Sequence, residues 1–345
     1  MATLRMICSL IGLCWATFSV ALEPVNVSGG GGFDYQASVI QPWSQADQRI
    51  VVFERLNPAT LSGDLYLTRS TDAGLNWTEP VGIVTTSANE RHAVLVQTGP
   101  ESYQLLHLSN ASGSFRIHRA SSADGQTFLQ LGAIDLGWPT GGEINPYVIR
   151  QADGSLTMTY HRLSGAAYIA RSFDKGESWD TDRVQISPAN AALPRIAYRE
   201  SDGLYLLVYQ TNPGNNQLQL WSRTSLDPAS WTDVPQQIVP DGNNHDALPL
   251  VLTDGRYIVF WARVAEGNFQ IFSAESAHGQ SWAAPIQRVS RPNLANVQPH
   301  GLVLTKNMID LYWGAATSSN GSDYDILRLP IGFDRRFADR FETLP

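Results

Sequence analysis

The sequence predicts an all-β protein, a six-bladed β-propeller built from four-stranded antiparallel blades. Three observations lead to this prediction. A short turn motif recurs five times at a nearly constant interval, four strand patterns fit between successive copies, and no segment has a convincing helical period. Radial repetition of four-stranded units of this size is typical of β-propellers.

The turn motif is clearest at 70–77 and 172–179, where both segments read S-x-D-x-G-x-x-W. Weaker copies occupy 121–128, 225–231 and 277–282. The closing aromatic residues are Trp77, Phe128, Trp179, Trp231 and Trp282, at intervals of 51, 51, 52 and 51 residues. Ser and Asp side chains can accept the backbone hydrogen bonds of a tight turn, and Gly permits a positive φ. We expect each copy to join the third and fourth strands of its unit at the outer rim.

Each repeat unit carries short apolar or alternating runs bounded by turn residues, which is typical of β-strands. In the first unit the predicted strands are Ala37–Gln41, Arg49–Leu56, Gly63–Ser70 and Val81–Thr85. The third unit repeats them at Tyr147–Gln151, Ser155–Leu163 and Ala166–Ser172, and the sixth at Gly301–Leu304, Met308–Gly314 and Tyr324–Leu329. We expect a strand from Val25–Phe33 to close the ring.

The first 21 residues have the pattern of a secretory signal peptide. Arg5 is the only charge, an apolar run follows, and Ser19-Val20-Ala21 is a small-x-small cleavage site. The run is too short for a membrane span. We therefore expect a secreted protein, extracellular or periplasmic, cleaved near Ala21 and without a membrane span in the mature chain. Six units of about 51 residues fill residues 22–333 as one propeller domain, and 334–345 is a short charged tail.

Composition excludes several classes of function. The chain has a net charge of −8 and no run of Lys or Arg, whereas a nucleic-acid ligand requires a basic surface. Both cysteines, Cys8 and Cys14, lie in the predicted signal peptide, so the mature chain has no disulfide and no thiolate. The histidines and carboxylates do not have the local spacing of a metal site. We expect no metal and no cofactor.

Residues that face the central depression of a propeller come from the start of each innermost strand and the end of each second strand. The second strands of alternate units end in Arg55, Arg162 and Arg263, while the equivalent positions of the other units are Ser109, Thr211 and Ala315. Because guanidinium groups bind carboxylate or sulfate bidentately, the alternation predicts a cationic patch for an anionic ligand. The alternative is that each arginine pairs with an acid in its own or the next blade.

The five turn motifs resemble the Asp-box (BNR) repeats of the sialidase superfamily, and the resemblance covers essentially the whole mature chain. It implies a propeller with Asp-box turns, in which Asp72, Asp174 and Trp179 have structural roles. Sialidases bind the sialate carboxylate with three arginines and use an Asp acid/base and a Tyr nucleophile activated by a Glu. The segment 142–162 resembles the family stretch from that Glu to the second arginine. By this resemblance Glu143 is the activating carboxylate and Arg162 a carboxylate ligand, with Arg55 near the site.

Other parts of the sialidase pattern are missing. No arginine stands in 29–36, and no aspartate stands in 57–62 after Arg55. Where the late Tyr-Ser-Asp would be, the sequence has His245-Asp246-Ala247 or Gln298-Pro299-His300. A sialidase mechanism would therefore require Tyr35 as a substitute nucleophile.

The starts of the innermost strands supply a further set of candidates rich in His, Tyr, Glu and Arg, a combination that can perform acid–base chemistry. A structural role is the alternative for each histidine. The catalytic candidates are Glu143, Tyr35, His245 and Asp246. The substrate-binding candidates are Arg55, Arg162, Arg263, His92, Arg195 and His300.

Three functions fit these residues. The first is a sialidase-like exo-glycosidase that acts on terminal acidic sugars. The second is a polysaccharide lyase, in which His or Tyr takes a proton from a uronate while arginine neutralises its carboxylate. The third is a non-catalytic propeller that binds a glycan or a protein. In the first two, the expected partner is an acidic glycan or polysaccharide.

Overall fold

The computed structural model describes residues 23–30, 32–214, 217–319 and 323–333. The predicted signal peptide and the predicted charged tail lie outside the described residues. In the described part of the chain the regular elements are strands, so the prediction of an all-β protein is confirmed. No helix in this part is long and apolar enough to cross a membrane.

The strands follow one another in consecutive antiparallel groups, listed here in chain order. The chain begins with β1 (Val25–Asn26). The first group is β2 (Phe33–Ile40), β3 (Arg49–Leu56), β4 (Gly63–Ser70) and β5 (Val81–Val84). The second is β6 (Glu90–Gly99), β7 (Ser102–Ser109), β8 (Arg116–Ser122) and β9 (Leu129–Ala133). The third is β10 (Glu143–Arg150), β11 (Leu156–Arg162), β12 (Ala167–Ser172) and β13 (Val184–Gln185).

The remaining groups repeat this order. The fourth is β14 (Ala191–Arg199), β15 (Leu204–Thr211), β16 (Gln219–Ser225) and β17 (Gln236–Gln237). The fifth is β18 (Asn244–Val251), β19 (Tyr257–Ala265), β20 (Asn268–Ser276) and β21 (Ile286–Val289). The sixth is β22 (Asn296–Thr305), β23 (Met308–Ala316) and β24 (Tyr324–Gly332), and its fourth strand is β1, which pairs antiparallel with β24.

The second to fifth groups are separate four-stranded sheets. The first and sixth groups form one eight-stranded sheet, joined by a single parallel pair between Phe33 and Tyr324. The first strands of successive groups contact one another in chain order, and β22 contacts β2. These first strands are therefore the innermost strands of the arrangement, and the chain's N-terminal strand completes its last group.

The innermost strands begin earlier than the sequence predicted. The predicted starts at Ala37, Tyr147 and Gly301 become Phe33, Glu143 and Asn296. The reason is a bulge near the start of every innermost strand, where one residue has a positive φ and breaks the alternation. The six bulge residues are Gln36, His92, Asn145, Leu193, Asp246 and Gln298, with φ between 48° and 59°.

The bulges also link neighbouring groups. The N–H of a bulge residue leaves its own ladder and donates to a side chain of the preceding group. His92 N–H donates to Glu54 Oε2 at 2.9 Å, and Asp246 N–H donates to Gln210 Oε1 at 3.2 Å. Leu193 N–H donates to His161 Nδ1 at 3.3 Å. Each of these acceptors lies on the second strand of the preceding group, so the bulge geometry depends on the neighbour.

The recurring turn motif lies between the third and fourth strands, as expected. In the first copy Ser70 Oγ accepts the Gly74 N–H at 2.8 Å and Asp72 Oδ1 accepts the Asn76 N–H at 2.9 Å. The copy at 172–178 repeats both bonds at 2.8 and 2.9 Å. Ala73 and Gly74 have φ of 58° and 88°, which explains why glycine occupies the second of these positions.

A buried ionic network joins the sixth group to the first. Asp310 is fully buried and accepts hydrogen bonds from Arg49 Nε at 3.2 Å, from Arg328 Nε and from the Tyr312 hydroxyl at 3.0 Å. Arg49 belongs to the first group and Arg328 to the sixth. Arg328 also donates to the carbonyl of Gly74 at 3.0 Å, in the first group's turn. One carboxylate therefore holds two arginines from opposite sides of this junction.

Replacing Asp310 should destabilise the fold strongly. In Asp310→Ala two buried guanidinium groups lose their carboxylate, and uncompensated charges of this kind cost on the order of 3–5 kcal/mol. The measurement is the free energy of unfolding from urea titrations. The control is Asp241→Ala, because Asp241 is 72% exposed in its ion pair with Arg263 and should contribute less than about 1 kcal/mol. Equal losses in the two variants would contradict the assignment.

Candidate functional site

A small cavity lies where the innermost strands approach one another, and we call it the central cavity. It is lined by 36–37, 92–94, 145–147, 193–195 and His300. Its volume of about 30 Å³ is enough for about one or two water molecules. A flat carboxylate group is of similar size, whereas a sugar ring is much larger. A sugar would therefore have to lie over the cavity and insert only a substituent.

The bulges determine which side chains meet at this cavity. Gln36, His92, Asn145 and Leu193, four of the six positive-φ residues, are part of its lining. Asn145 Oδ1 is buried there and has no hydrogen-bond partner within the described residues. A buried amide of this kind is a polar group available to a ligand or water. The backbone geometry of the bulges therefore determines which polar side chains line the cavity.

Arg195 is the cationic side chain of the central cavity. Its guanidinium lies 5.4 Å from the ring centre of Tyr147 and donates to the carbonyl of Pro299 at 3.1 Å. Burial lowers the pKa of Arg195, and the neighbouring Tyr147 and Asp246 oppose this effect. Arg195 forms no ion pair with a carboxylate in the described part of the chain. It remains a cation with donor capacity for an incoming anion.

Next to it, His245 and Asp246 form a hydrogen-bonded pair. His245 Nδ1 lies 2.9 Å from Asp246 Oδ2, and the imidazole ring meets the ring of Phe269 edge-on at 4.3 Å. Burial acts to raise the pKa of Asp246, but the hydrogen bond from His245 and the charge of Arg195 outweigh it, so the pKa is lowered. A carboxylate that accepts from Nδ1–H leaves Nε2 of His245 free to take a proton.

His245 and Asp246 are not part of the lining of the central cavity, and the two histidines that do line it, His92 and His300, are neutral. Burial lowers the pKa of His92 to about 4 and that of His300 to about 3, with the charge of Arg195 acting in the same direction. His300 Nδ1 accepts the Val39 N–H at 3.4 Å, which holds it as an unprotonated nitrogen. At neutral pH both rings can therefore bind a ligand as neutral groups but do not add positive charge.

Sequence reasoning missed the side chain that supports His92. Glu54 is fully buried and accepts from the His92 N–H and, at 3.0 Å, from Arg91. The signal for it was present, since Glu54 stands between Phe53 and Arg55 at the end of an apolar strand, where a carboxylate has to be paired. Gln210 supports Asp246 in the same way, and no signal in the sequence marked it.

The alternating arginines occupy equivalent positions, but each forms an ion pair with a nearby carboxylate. Arg55 makes a bidentate pair with Asp34 at 2.7 and 2.9 Å. Arg162 donates to Glu143 at 3.0 Å, and Arg263 donates to Asp241 at 3.1 Å. None of the three belongs to the lining of the central cavity. These pairs agree with the alternative stated for the three arginines, in which each pairs with an acid of its own or the next repeat unit.

Glu143 and Tyr35 are not brought together as an activated nucleophile. Glu143 is buried between Arg162 and Arg116, whose Nε lies 3.7 Å from Glu143 Oε2. Tyr35 packs against Tyr324 with ring centres 4.8 Å apart, and its cross-strand neighbour is Glu54. Burial, together with Tyr324 and Glu54, raises the pKa of Tyr35 to about 12, which disfavours the phenolate. These positions favour structural roles for both residues.

A second cavity lies apart from the central cavity. This cavity of about 580 Å³ lies near the outer turn at 121–129, and its lining includes no residue of the third group's innermost strand or of the central cavity. Within the described residues no cluster of His, Cys, Asp or Glu has the arrangement of a metal site.

No family model and no curated protein matches the chain. Solved structures do match, at low identity. A protein of unknown function from Dyadobacter fermentans has a TM-score of 0.72 and 14% identity, covering 90% of this chain and 98% of its own. The GH93 α-L-arabinofuranosidase of Fusarium graminearum has a TM-score of 0.67 and 14% identity, covering 90% and 98%. The NanB sialidase of Streptococcus pneumoniae has a TM-score of 0.68 and 12% identity, covering 91% and 71%.

These similarities define the class of fold. The chain is an all-β protein of four-stranded antiparallel sheets with the fold of sialidase and GH93 arabinofuranosidase structures. At such low identities the likeness concerns the fold alone, and the chemistry of the site has to be argued from its own residues.

The neutral histidines predict a pH-dependent stability. The ordinary histidine pKa is 6.5, and burial lowers that of His161, like that of His92, to about 4. Below about pH 6.5 these histidines bind protons in the unfolded chain but not in the folded chain. The free energy of unfolding should therefore fall as the pH drops from about 6.5 to about 4. Each such histidine contributes up to about 1.4 kcal/mol per pH unit.

The measurement is a series of urea titrations between pH 7 and pH 4. His161→Gln retains an acceptor for the Leu193 N–H but cannot titrate, so it should reduce the slope. The exposed His278 provides the control, and His278→Gln should leave the slope unchanged. A slope in His161→Gln equal to that of the wild type would show that His161 titrates normally in the folded protein.

Proposed function

We propose that this protein binds an acidic glycan at the central cavity, with Arg195 as the ligand of the sugar carboxylate and His245–Asp246 as an acid–base pair. The observation that carries the proposal is the difference among the arginines. The three second-strand arginines are paired with Asp34, Glu143 and Asp241, whereas Arg195 faces the cavity without a carboxylate partner among the described residues. A carboxylate inserted there would give Arg195 the ionic partner that it lacks.

The size of the cavity supports a single inserted substituent. Its volume of about 30 Å³ accommodates a carboxylate but excludes a ring. His92, His300 and Asn145 line the same space and offer neutral polar contacts to it. The sugar ring would then lie above the cavity, on the side where His245 is partly exposed.

The chemistry of the pair favours elimination on a uronate. His245 Nε2 would take the proton from the carbon next to the carboxylate while Arg195 neutralises that carboxylate. The electron pair of the broken C–H bond forms the C=C bond as the bond to the glycosidic oxygen breaks, and that oxygen receives a proton from the imidazolium or from water. In this proposal His245 would supply the base and Arg195 the cation that this step requires.

Hydrolysis is the second candidate, favoured by the fold. The structural neighbours include an arabinofuranosidase and a sialidase, which are glycosidases by name. Glycoside hydrolysis commonly uses two carboxyl groups flanking the bond. Here Asp246 is engaged by His245, and Glu54 is engaged by Arg91 and fully buried, so elimination accounts better for the groups at hand.

The architecture and location complete the proposal. We infer that the six strand groups are the blades of a closed six-bladed propeller, with Asp-box turns at its rim. The cyclic contacts of the innermost strands and the hydrogen bonds of the turn motif support this. The signal-peptide pattern of residues 1–21 supports secretion, where polymeric glycans would be accessible.

Binding of the carboxylate is tested with Arg195→Gln. Charge-assisted hydrogen bonds contribute about 1.5–3 kcal/mol, so affinity for a glucuronate- or sialate-terminated oligosaccharide should fall at least tenfold by calorimetry. Affinity for the methyl ester of the same sugar should change little. The matched control is Arg263→Gln, which removes an arginine already paired with Asp241. A larger loss of affinity in Arg263→Gln than in Arg195→Gln would show that the alternating arginines bind the anion.

The reaction is tested with His245→Asn and product analysis. The wild type should convert a polyuronate to products that absorb in the ultraviolet as unsaturated uronates. His245→Asn should lose this activity at least a hundredfold and keep its affinity, because the base is removed and Arg195 remains. Release of free acidic sugar without the absorbance would instead establish hydrolysis. Binding without any product would establish a non-catalytic glycan-binding protein.

A further inference from the structure

A third cavity opens on the second group, and we call it the radial trough. Its volume is about 450 Å³, within the range of sites that hold small organic ligands. Its lining includes Glu90 of β6, Ser109 of β7, His118 of β8 and Gln130 of β9. One residue thus comes from each strand of the group, from innermost to outermost. The trough therefore extends outward along one group from the innermost strands.

The inner end of the trough lies close to the central cavity. Glu90 lines the trough and His92 lines the central cavity, two residues further along the same strand. At an ordinary rise of about 3.3 Å per residue the two positions are no more than about 7 Å apart. The two cavities therefore lie close enough for one oligosaccharide to contact both.

The polar side chains of the trough can form hydrogen bonds with the hydroxyl groups of a sugar. Glu90 Oε1 accepts from the hydroxyls of Thr86 at 2.7 Å and Ser109 at 3.1 Å, and its other oxygen lies 3.1 Å from His107 Nδ1. These bonds fix the carboxylate at the floor. His118 Nε2 is buried and has no partner in the described residues. A neutral imidazole can donate one hydrogen bond and accept another, so a sugar hydroxyl is a suitable partner for the His118 ring that lines the trough.

The charge of the trough differs from that of the central cavity. Its lining contains the carboxylate of Glu90 and no arginine or lysine. Burial and the neighbouring His107 lower the pKa of His118, so this ring adds no positive charge at neutral pH. The trough should therefore reject an anionic sugar and accept a neutral one, in contrast to the cavity beside Arg195.

We propose that the radial trough is a subsite for the neutral sugar residues that follow the acidic residue of the same glycan. The preferred ligand is then a hetero-oligosaccharide, with an acidic sugar over the central cavity and neutral sugars along the second group. This rests on the proposed function, since the central cavity supplies the anchor.

The experiment compares two probe pairs by calorimetry. One pair is glucuronic acid and a trisaccharide of terminal glucuronic acid on two neutral hexoses, and the other is sialic acid and 3′-sialyllactose. The trisaccharide of the recognised pair should bind at least tenfold more tightly than its monosaccharide. The double variant His118→Leu/Gln130→Ala should remove most of this advantage and leave the monosaccharide affinity unchanged, because both residues lie outside the central cavity.

The matched control is His278→Leu/Gln126→Ala, which makes the same chemical changes at exposed positions outside the trough. Gln130 lies on a strand whose residues are all exposed, and thermal unfolding verifies that both double variants fold. Equal affinities of trisaccharide and monosaccharide in the wild type would overturn the trough and leave the proposed function standing. An unchanged advantage in the double variant, or an equal loss for both ligands, would also overturn it. If no probe binds, the proposed function fails and the subsite fails with it.

Discussion

The site of this protein depends on one backbone constraint, the positive-φ bulge near the start of each innermost strand. An ordinary strand would alternate its side chains between two faces and keep its N–H groups in the ladder. The bulge instead brings His92 and Asn145 into the lining of the central cavity and directs the N–H groups of His92 and Asp246 to the neighbouring group. Non-glycine residues rarely adopt this conformation, so it persists because the neighbours' side chains hold it.

Electrostatics divides the arginines into two kinds with different roles. Arg49 and Arg328 share the buried Asp310 and tie the first group to the sixth. The second-strand arginines hold Asp34, Glu143 and Asp241 and rigidify the mouth of the arrangement. Asp34 and Glu143 are buried, and breaking a buried ion pair is costly, which makes Arg55 and Arg162 poor candidates for binding a ligand. Arg195 has no carboxylate partner in the described residues, so an anionic ligand can form an ion pair with it.

The sequence predicted much of the fold from the spacing of one motif. The strands Arg49–Leu56 and Gly63–Ser70 agree with the prediction at both ends, because they are regular and their apolar pattern is uninterrupted. The innermost strands were predicted to start about four residues late. Their first residues lie beyond a bulge, and a pattern that assumes strict alternation stops there. The stretches left outside the predicted strands include Gln36 and Asn145, two residues of the central cavity lining that the sequence did not mark as candidates.

What the sequence determined by itself is the all-β class, the repeat length and the set of polar residues from which a site could be made. These follow from local patterns of one unit, which repeat regardless of how the units assemble. Which of those residues share a cavity was decided by tertiary structure alone. Arg55 and Arg195 look equally available in the sequence, but Asp34 lies within 2.7 Å of one guanidinium, and the other meets Tyr147 and the edge of the central cavity. Charge pairing acts over a few ångströms between segments distant in the chain, so only the folded arrangement shows which charge remains free.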